Sequence, residues 1–249
     1  MKLTDTTYLV GGGTWGGMGL TPGPDCNVYL IDGGGALALI DAGSGVAGSP
    51  GAIAGWITGH GFALSDVGTI LLTHMHGDHV GGAAALAAMT GAEVFASPLT
   101  AGVLAAADEE VSSIRIARDA GIYPADFRLA PLAGVKLLDD GASVTVGAVT
   151  LTAIPTPGHS EGHLSFLATA PKRRDLFAGD IVFWRGRVLM QAIPGCDVMA
   201  TARSIERLAG LGPIDGLFPG HGAVTLSGAT RHIAAAAEHV RALRVPPAL

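Results

Sequence analysis

The sequence predicts an α/β fold built as two packed βα halves, and three observations carry that expectation. Short, nearly all-apolar runs alternate with helical stretches along the chain, and such strands belong to sheets covered on both faces. The 38 glycines of this 249-residue chain fall mostly between those runs, where tight turns need positive φ. The strand pattern then begins again in the second half with no linker before it. One domain over residues 1–249 is expected, its halves roughly 1–135 and 136–249.

The elements follow in order. Residues 27–32 read as a strand, Gly33-Gly34-Gly35 as a hairpin turn and residues 36–41 as the return strand. A helix is expected over residues 52–60, ended by Gly61. Residues 67–73 form a buried strand that runs into a histidine cluster. Residues 83–89 are helical up to Gly91, and residues 93–96 are the next strand. The more polar stretch 99–129, with Asp108-Glu109-Glu110 inside it, reads as helical and as a lid or pocket wall. Strands at 143–146, 149–154, 164–168 and 175–178 follow. The chain ends with a helix at 200–208, a strand at 216–218 and an alanine-rich helix over 230–243.

Composition removes several function classes. Hydrophobic residues make up 49% and charged residues 14%, which excludes intrinsic disorder. The net charge is −6 with 15 Lys and Arg and no basic run, so no nucleic-acid partner is expected. A mean hydropathy of +0.44 is inflated by alanine and glycine, and no apolar run reaches the ~18 residues a membrane span requires. Cys26 and Cys196 stand alone, in no CxxC pair, which suits a reducing compartment without a disulfide framework. Met1-Lys2-Leu3-Thr4-Asp5 has no signal-peptide pattern. The expectation is a cytoplasmic protein acting on a small molecule, away from membranes, with homo-oligomerisation open.

The decisive stretch is Thr73-His74-Met75-His76-Gly77-Asp78-His79, four candidate ligands in six positions at a strand end. In extended backbone His74 and His76 point to the same side, so both imidazoles reach one ion. Asp78 and His79 fall where the chain turns into a helix and address a second point. The pattern arises by chance in roughly one chain in two thousand of this composition, which rules out a chance surface cluster. Three more places share its grammar, a polar residue beside glycine after an apolar strand: Pro157-Gly158-His159, Ala178-Gly179-Asp180 and Pro219-Gly220-His221. Together they supply five histidines and two aspartates, enough for two metal ions and a carboxylate between them.

The order HxHxDH, then His after Pro-Gly, then Gly-Asp, then Gly-His resembles the metallo-β-lactamase superfamily of metal-dependent hydrolases, with the lactonase and glyoxalase II branches nearest. The resemblance covers nearly the whole chain, from the strand pair near Asn27 to His221. It implies a four-layer αββα sandwich with the site at one edge of the two sheets. Carried over by position, His74, His76 and His159 hold one ion. Asp78, His79 and His221 hold the other, and Asp180 bridges them. The resemblance also places Asp41 as a brace behind the metal loop, although a turn-forming aspartate beside glycine reads equally well. Donors of this kind suit zinc, with iron, manganese and cobalt compatible. Water between two such ions loses much of its proton affinity, and the hydroxide formed attacks the carbonyl of a small lactone, ester or thioester. Asp78 orients it and shuttles its proton. A mononuclear Fe(II) persulfide dioxygenase and a phosphoester or phosphotriester hydrolase are the alternatives.

Four further places concern the pocket. His163, four residues past His159, is a candidate support for the ligands. The glycine loop at 11–19 offers Trp15 and Met18, either as a substrate flap or as a mobile hairpin tip. Phe183 and Trp184, just past Asp180, are candidate pocket residues. Phe183 stands where several homoserine-lactone hydrolases carry a tyrosine, so the phenol that assists an oxyanion there is missing. The stretch 99–129 adds Tyr123 and Phe127.

Overall fold

The computed structural model describes residues 1–249 apart from Trp15 and Ala47. The Trp15 expectation therefore lies outside the described residues. The first half opens with β1 (Thr7–Gly11), β2 (Val28–Asp32) and β3 (Leu37–Ile40), an antiparallel meander. The β2–β3 turn closes where Gly34 and Gly35 adopt φ of 83° and 103°, as the glycine run requires. Helix α1 (Ser49–Gly59) then leads to β4 (Val67–Leu71), parallel to β3. It begins three residues before the expected start because Pro50, in its first turn, is preset for helix entry. Next come α2 (Gly77–Val80), α3 (Ala83–Thr90), β5 (Glu93–Ala96), α4 (Pro98–Ala106), α5 (Ile114–Asp119) and the two-residue β6 (Lys136–Leu137). The sheet order is β1-β2-β3-β4-β5-β6.

The second half forms the sheet β11-β10-β9-β8-β7 from β7 (Ser143–Val146), β8 (Val149–Pro155), β9 (Leu164–Ala170), β10 (Arg173–Gly179) and β11 (Gly216–Pro219). Helix α6 (Val198–Ala209) crosses from β10 to β11, and α7 (Thr230–Arg241) follows. Here the structure differs from a run of βαβ units. β7 through β10 are antiparallel neighbours, because links such as Gly147-Ala148 and Pro171-Lys172 are too short for a parallel crossover.

Three cores separate four layers. Tyr29, Ile31, Ile40 and Leu71 of the first sheet meet Leu151, Phe166, Phe177 and Phe218 of the second. Their strand neighbours Leu30 and Leu39 point the other way, into a core with Ile53, Ile57 and Leu86 from α1 and α3. Leu176 and Leu217 likewise face Ile205 and Leu208 of α6 and Ile233 and Ala236 of α7. This is the αββα sandwich. Between Leu99 and Leu129 only α4's remainder and α5 are helical. The Asp108 carboxylate accepts the N–H groups of Glu110 and Val111, both at 3.0 Å, and draws the chain into a turn. Both cysteines are free. No helix among the described residues is long and apolar enough to cross a membrane.

Candidate metal centre

β8 and β10 both pair antiparallel with β9, so they run the same way, and β11 is parallel to β10. The loops bearing His159, Asp180 and His221 therefore leave the second sheet at one edge. The loop after β4, with His74 through His79, meets them there.

The seven candidate ligands converge. His76 Nδ1 lies 3.0 Å from His74 Nε2 and 2.9 Å from His159 Nε2. Asp78 Oδ2 lies 3.0 Å from His221 Nε2 and 3.6 Å from His79 Nε2. Asp180 stands between the two groups. Its Oδ1 is 3.5 Å from His79 Nε2, and its Oδ2 is 3.4 Å from His221 Nε2 and 3.6 Å from His159 Nε2. The close approach of Asp180 and His79 to the last loop depends on Gly220, where a Cβ would collide with both side chains.

Hydrogen bonds on the far side of each ring fix which nitrogen is bare. Asp41, at φ 63°, accepts the Thr73 N–H at 2.7 Å through Oδ1 and the His79 Nδ1–H at 2.8 Å through Oδ2. The Thr73 hydroxyl donates to Asp41 and receives His74 Nδ1–H at 3.0 Å. His159 Nδ1–H donates to the Leu189 carbonyl at 3.1 Å. In all three rings Nδ1 is engaged on the far side and Nε2 is the nitrogen aimed into the cluster, the arrangement that metal-binding histidines need. His163 supports the site from behind. It accepts the Asp180 N–H at 3.0 Å, and its Nδ1–H donates to Thr156 Oγ1 at 2.9 Å. Asn27, at the foot of β2, donates to the carbonyls of Pro219 and Gly222 and ties down the His221 loop.

The electrostatics are those of a cation site. Burial and then the neighbouring His159 hold His76 neutral, down to about 3. Burial would raise the Asp180 carboxyl, but His221 and His79 outweigh it and keep it well below the usual carboxylate range. Burial would lower His221, but Asp180 and Asp78 outweigh it and push it up to about 10. Three buried atoms of the cluster residues have no hydrogen-bond partner: His76 Nε2, on a ring that faces the cluster through Nδ1, and His79 Nε2 and Asp180 Oδ1. Such orphans are costly unless something binds them, and two divalent cations among five imidazoles and two carboxylates would satisfy the last two. The donor set fits the metals that the sequence implies.

The cluster floors a cavity of about 500 Å³. Its lining is largely apolar, with Ile116, Ala117, Ala120 and Ile122 from α5 and the loop after it, and Leu189 and Ile193 from the segment after Asp180. Tyr123 also lines it and donates its hydroxyl to Asp78 Oδ1 at 3.2 Å. Two expected pocket residues are not there. Phe183 is fully buried, and Trp184 lies on the surface with Arg185 over its ring. The cause is a turn. Arg185 and Gly186 adopt φ of 62° and 71°, and the segment closes onto α7, where Arg185 N–H donates to His232. The pocket is reached a few residues later, by Leu189, Gln191 and Ile193. No local sequence pattern marks those three, nor the Leu189 carbonyl that His159 uses.

Comparison with known proteins agrees with this geometry. The sequence profile of the metallo-beta-lactamase superfamily matches residues 21–221. The lactamase-like protein nscB of Neosartorya fischeri is 33% identical over 198 residues, which are 80% of this chain and 48% of that protein. The thioesterase pkgB of Emericella nidulans is 28% identical over 201 residues, 81% of this chain and 47% of that one. The chain thus spans about half the length of these curated relatives. Among solved structures, the subclass B3 metallo-beta-lactamase MEM-A1 from a soil metagenome superposes with a TM-score of 0.67 at 27% identity, covering 89% of this chain and 78% of that one. A metallo-beta-lactamase family protein of Thermus thermophilus superposes with a TM-score of 0.72 at 25% identity, covering 97% and 81%. The sandwich, the ligand order along the chain and the match over most of its length have one explanation: the chain belongs to the metallo-beta-lactamase superfamily.

Proposed function

We propose that this chain is a metal-dependent hydrolase that cleaves the carbonyl–heteroatom bond of a small thioester, ester or lactone with an apolar acyl group. The observation that carries the reading is the pairing of seven converging candidate ligands with an apolar cavity wall. No Lys or Arg is among the described lining residues, so beyond the metal cluster itself an anionic substrate finds no side-chain counter-ion. That disfavours phosphoesters. The assembled group Asp78, His79 and His221 likewise disfavours a single-iron dioxygenase. A relative named as a thioesterase supports the thioester among the three bonds.

His74, His76, His159 and Asp180 would hold one divalent ion, and Asp78, His79, His221 and Asp180 the other. When bound, such ions, zinc above all with iron, manganese or cobalt compatible, lower the proton affinity of water and polarise a carbonyl. The Asp78 carboxylate faces the cluster through Oδ2. Ionised, it would accept the proton that the attacking water loses and return it to the leaving heteroatom. The wall formed by Ile116, Ala117, Ala120 and Ile122 packs the acyl chain and excludes water beside the scissile bond.

The test is a substrate panel on zinc-loaded protein: N-acetylcysteamine thioesters of octanoate and of succinate, an alkyl lactone, a β-lactam and bis-p-nitrophenyl phosphate. Turnover of the octanoyl thioester or lactone, well above that of the succinyl thioester and abolished by chelation, is expected. Phosphodiester turnover alone, or no preference for the apolar acyl chain, overturns the reading.

A further inference from the structure

The two oxygens of Asp78 face different partners. Oδ2 looks into the cluster, toward His221 and His79. Oδ1 receives the hydroxyl of Tyr123, which lies 45 residues further along the chain. Rotation of a carboxylate about its last torsion is soft, so the choice of oxygen presented to the site falls to hydrogen bonding.

The phenol is held in place from its own side. Its ring stacks on Phe127 at 4.9 Å between centroids. The Phe127 carbonyl accepts Arg118 Nη1–H at 3.0 Å, and Arg118 pairs with Glu109 at 2.5 Å. Glu109 in turn accepts the Leu129 N–H at 3.0 Å. On the other side the ring lies over Gly77. A Cβ there would sit 3.1 Å from Tyr123 Cζ and Oη and 3.0 Å from Ile114 Cγ1. The glycine before Asp78 thus opens the slot that the phenol fills.

A phenol carries one proton. The Tyr123 hydroxyl donates to Asp78 Oδ1 at 3.2 Å, so that proton lies between the two oxygens. It is not available to a substrate oxygen at the same time. Tyr123 is therefore no substitute for the oxyanion-assisting phenol whose place Phe183 takes.

We propose that Tyr123 is a positioning residue for Asp78: it clamps Oδ1 so that Oδ2 is presented to the ligand group formed with His79 and His221. The proposal rests on the metal-dependent hydrolase reading. It assigns a role to the stretch after α5 beyond that of pocket wall, because one segment supplies both the apolar surface for substrate and the clamp on the aspartate.

The experiment is a double-mutant cycle with Tyr123→Phe and Asp78→Asn, read first as zinc affinity by competition with a chromophoric chelator. Phe keeps the ring against Phe127 and Gly77 and removes only the hydroxyl. We expect Tyr123→Phe to bind its second zinc equivalent about tenfold more weakly, the size usual for a lost partner behind a ligand. Its kcat should fall by a similar factor with KM unchanged, and its metal-free melting temperature should match the wild type. In the Asp78→Asn background the same substitution should change nothing further. Unchanged second-zinc affinity in Tyr123→Phe overturns the proposal. So does an equal loss of affinity with Asn at 78, which would mean that Tyr123 acts on the site by a route other than the Asp78 carboxylate. These zinc titrations use no substrate, so they stand whichever acyl group is cleaved. A wild type that takes up no second equivalent overturns the two-metal reading and the clamp with it.

Discussion

Asp180 is asked to do two things that one side chain rarely does together. Its carboxylate lies within 3.6 Å of three imidazoles drawn from both ligand groups, while its own N–H is held by His163. Among the described residues no other carboxylate stands between the groups. Asp180→Ala should therefore lower the metal content of purified protein from two equivalents toward one and reduce turnover by roughly a hundredfold or more, since a ligand counts for more than the partners behind it. Metal analysis by plasma mass spectrometry checks it, and two equivalents with full turnover refute the bridging role. The candidate ligands were legible in the sequence because each carries its chemistry in its own side chain and lies beside a strand end. The pocket residues were not. Phe183 and Trp184 follow Asp180 closely, yet the left-handed turn at Arg185 and Gly186 carries them to α7. Tyr123 was visible as an aromatic near the pocket, but its bond to Asp78 is set by how α5 packs on the loop after β4, which no local pattern records.

At the scale of elements, two connections frame the metal loop, and one carboxylate joins them. Asp25, before β2, is fully buried and accepts the Ser44 N–H at 2.8 Å, the Ser44 hydroxyl and the Ser49 hydroxyl at 2.5 Å. It ties the β1–β2 connection to the start of α1. Asp25→Ala leaves these buried donors without an acceptor, at a cost of about 3 kcal/mol. For a chain of this size that is a fall of about 9 °C in melting temperature, measurable on metal-free protein. Asp25→Asn, which keeps one acceptor oxygen, should recover part of it. A melt unchanged in Asp25→Ala would show that the two connections hold without the tether. Apolar runs and glycines gave most strands and helices within a residue or two. They did not give strand direction in β7 to β10, which follows from link length. Nor did they show that 107–113 is a turn, which follows from Asp108 competing for backbone N–H groups.

At the scale of the whole molecule, the His and Asp cluster sets how stability responds to pH, and the sign differs on the two sides of neutrality. His76 is depressed to about 3 in the folded chain by burial and then by His159. Below the unfolded histidine value of about 6.5 the unfolded chain binds a proton that the folded one refuses, so stability falls as pH drops from there toward 3. His74 and His163, also held low by burial, act in the same direction. His221 is the opposite case. Its folded value of about 10 exceeds the unfolded one, so its contribution is complete below about 6.5 and is lost as pH rises through 10. Metal-free protein should accordingly be most stable near pH 6.5 and lose stability on both sides. A metal held at His221 Nε2 would take the place of that proton, so the alkaline loss should vanish in loaded protein, and metal affinity should rise with pH over the same window as binding releases the proton. Binding also adds stability by mass action, about 4 kcal/mol at free metal a thousandfold above Kd. Thermal melts at pH 5, 6.5, 8 and 9.5, with zinc and with chelator, read all of this at once. The two curves should lie apart throughout and diverge further from pH 6.5 to 9.5. Parallel curves over that range would mean that His221 does not exchange its proton for the metal.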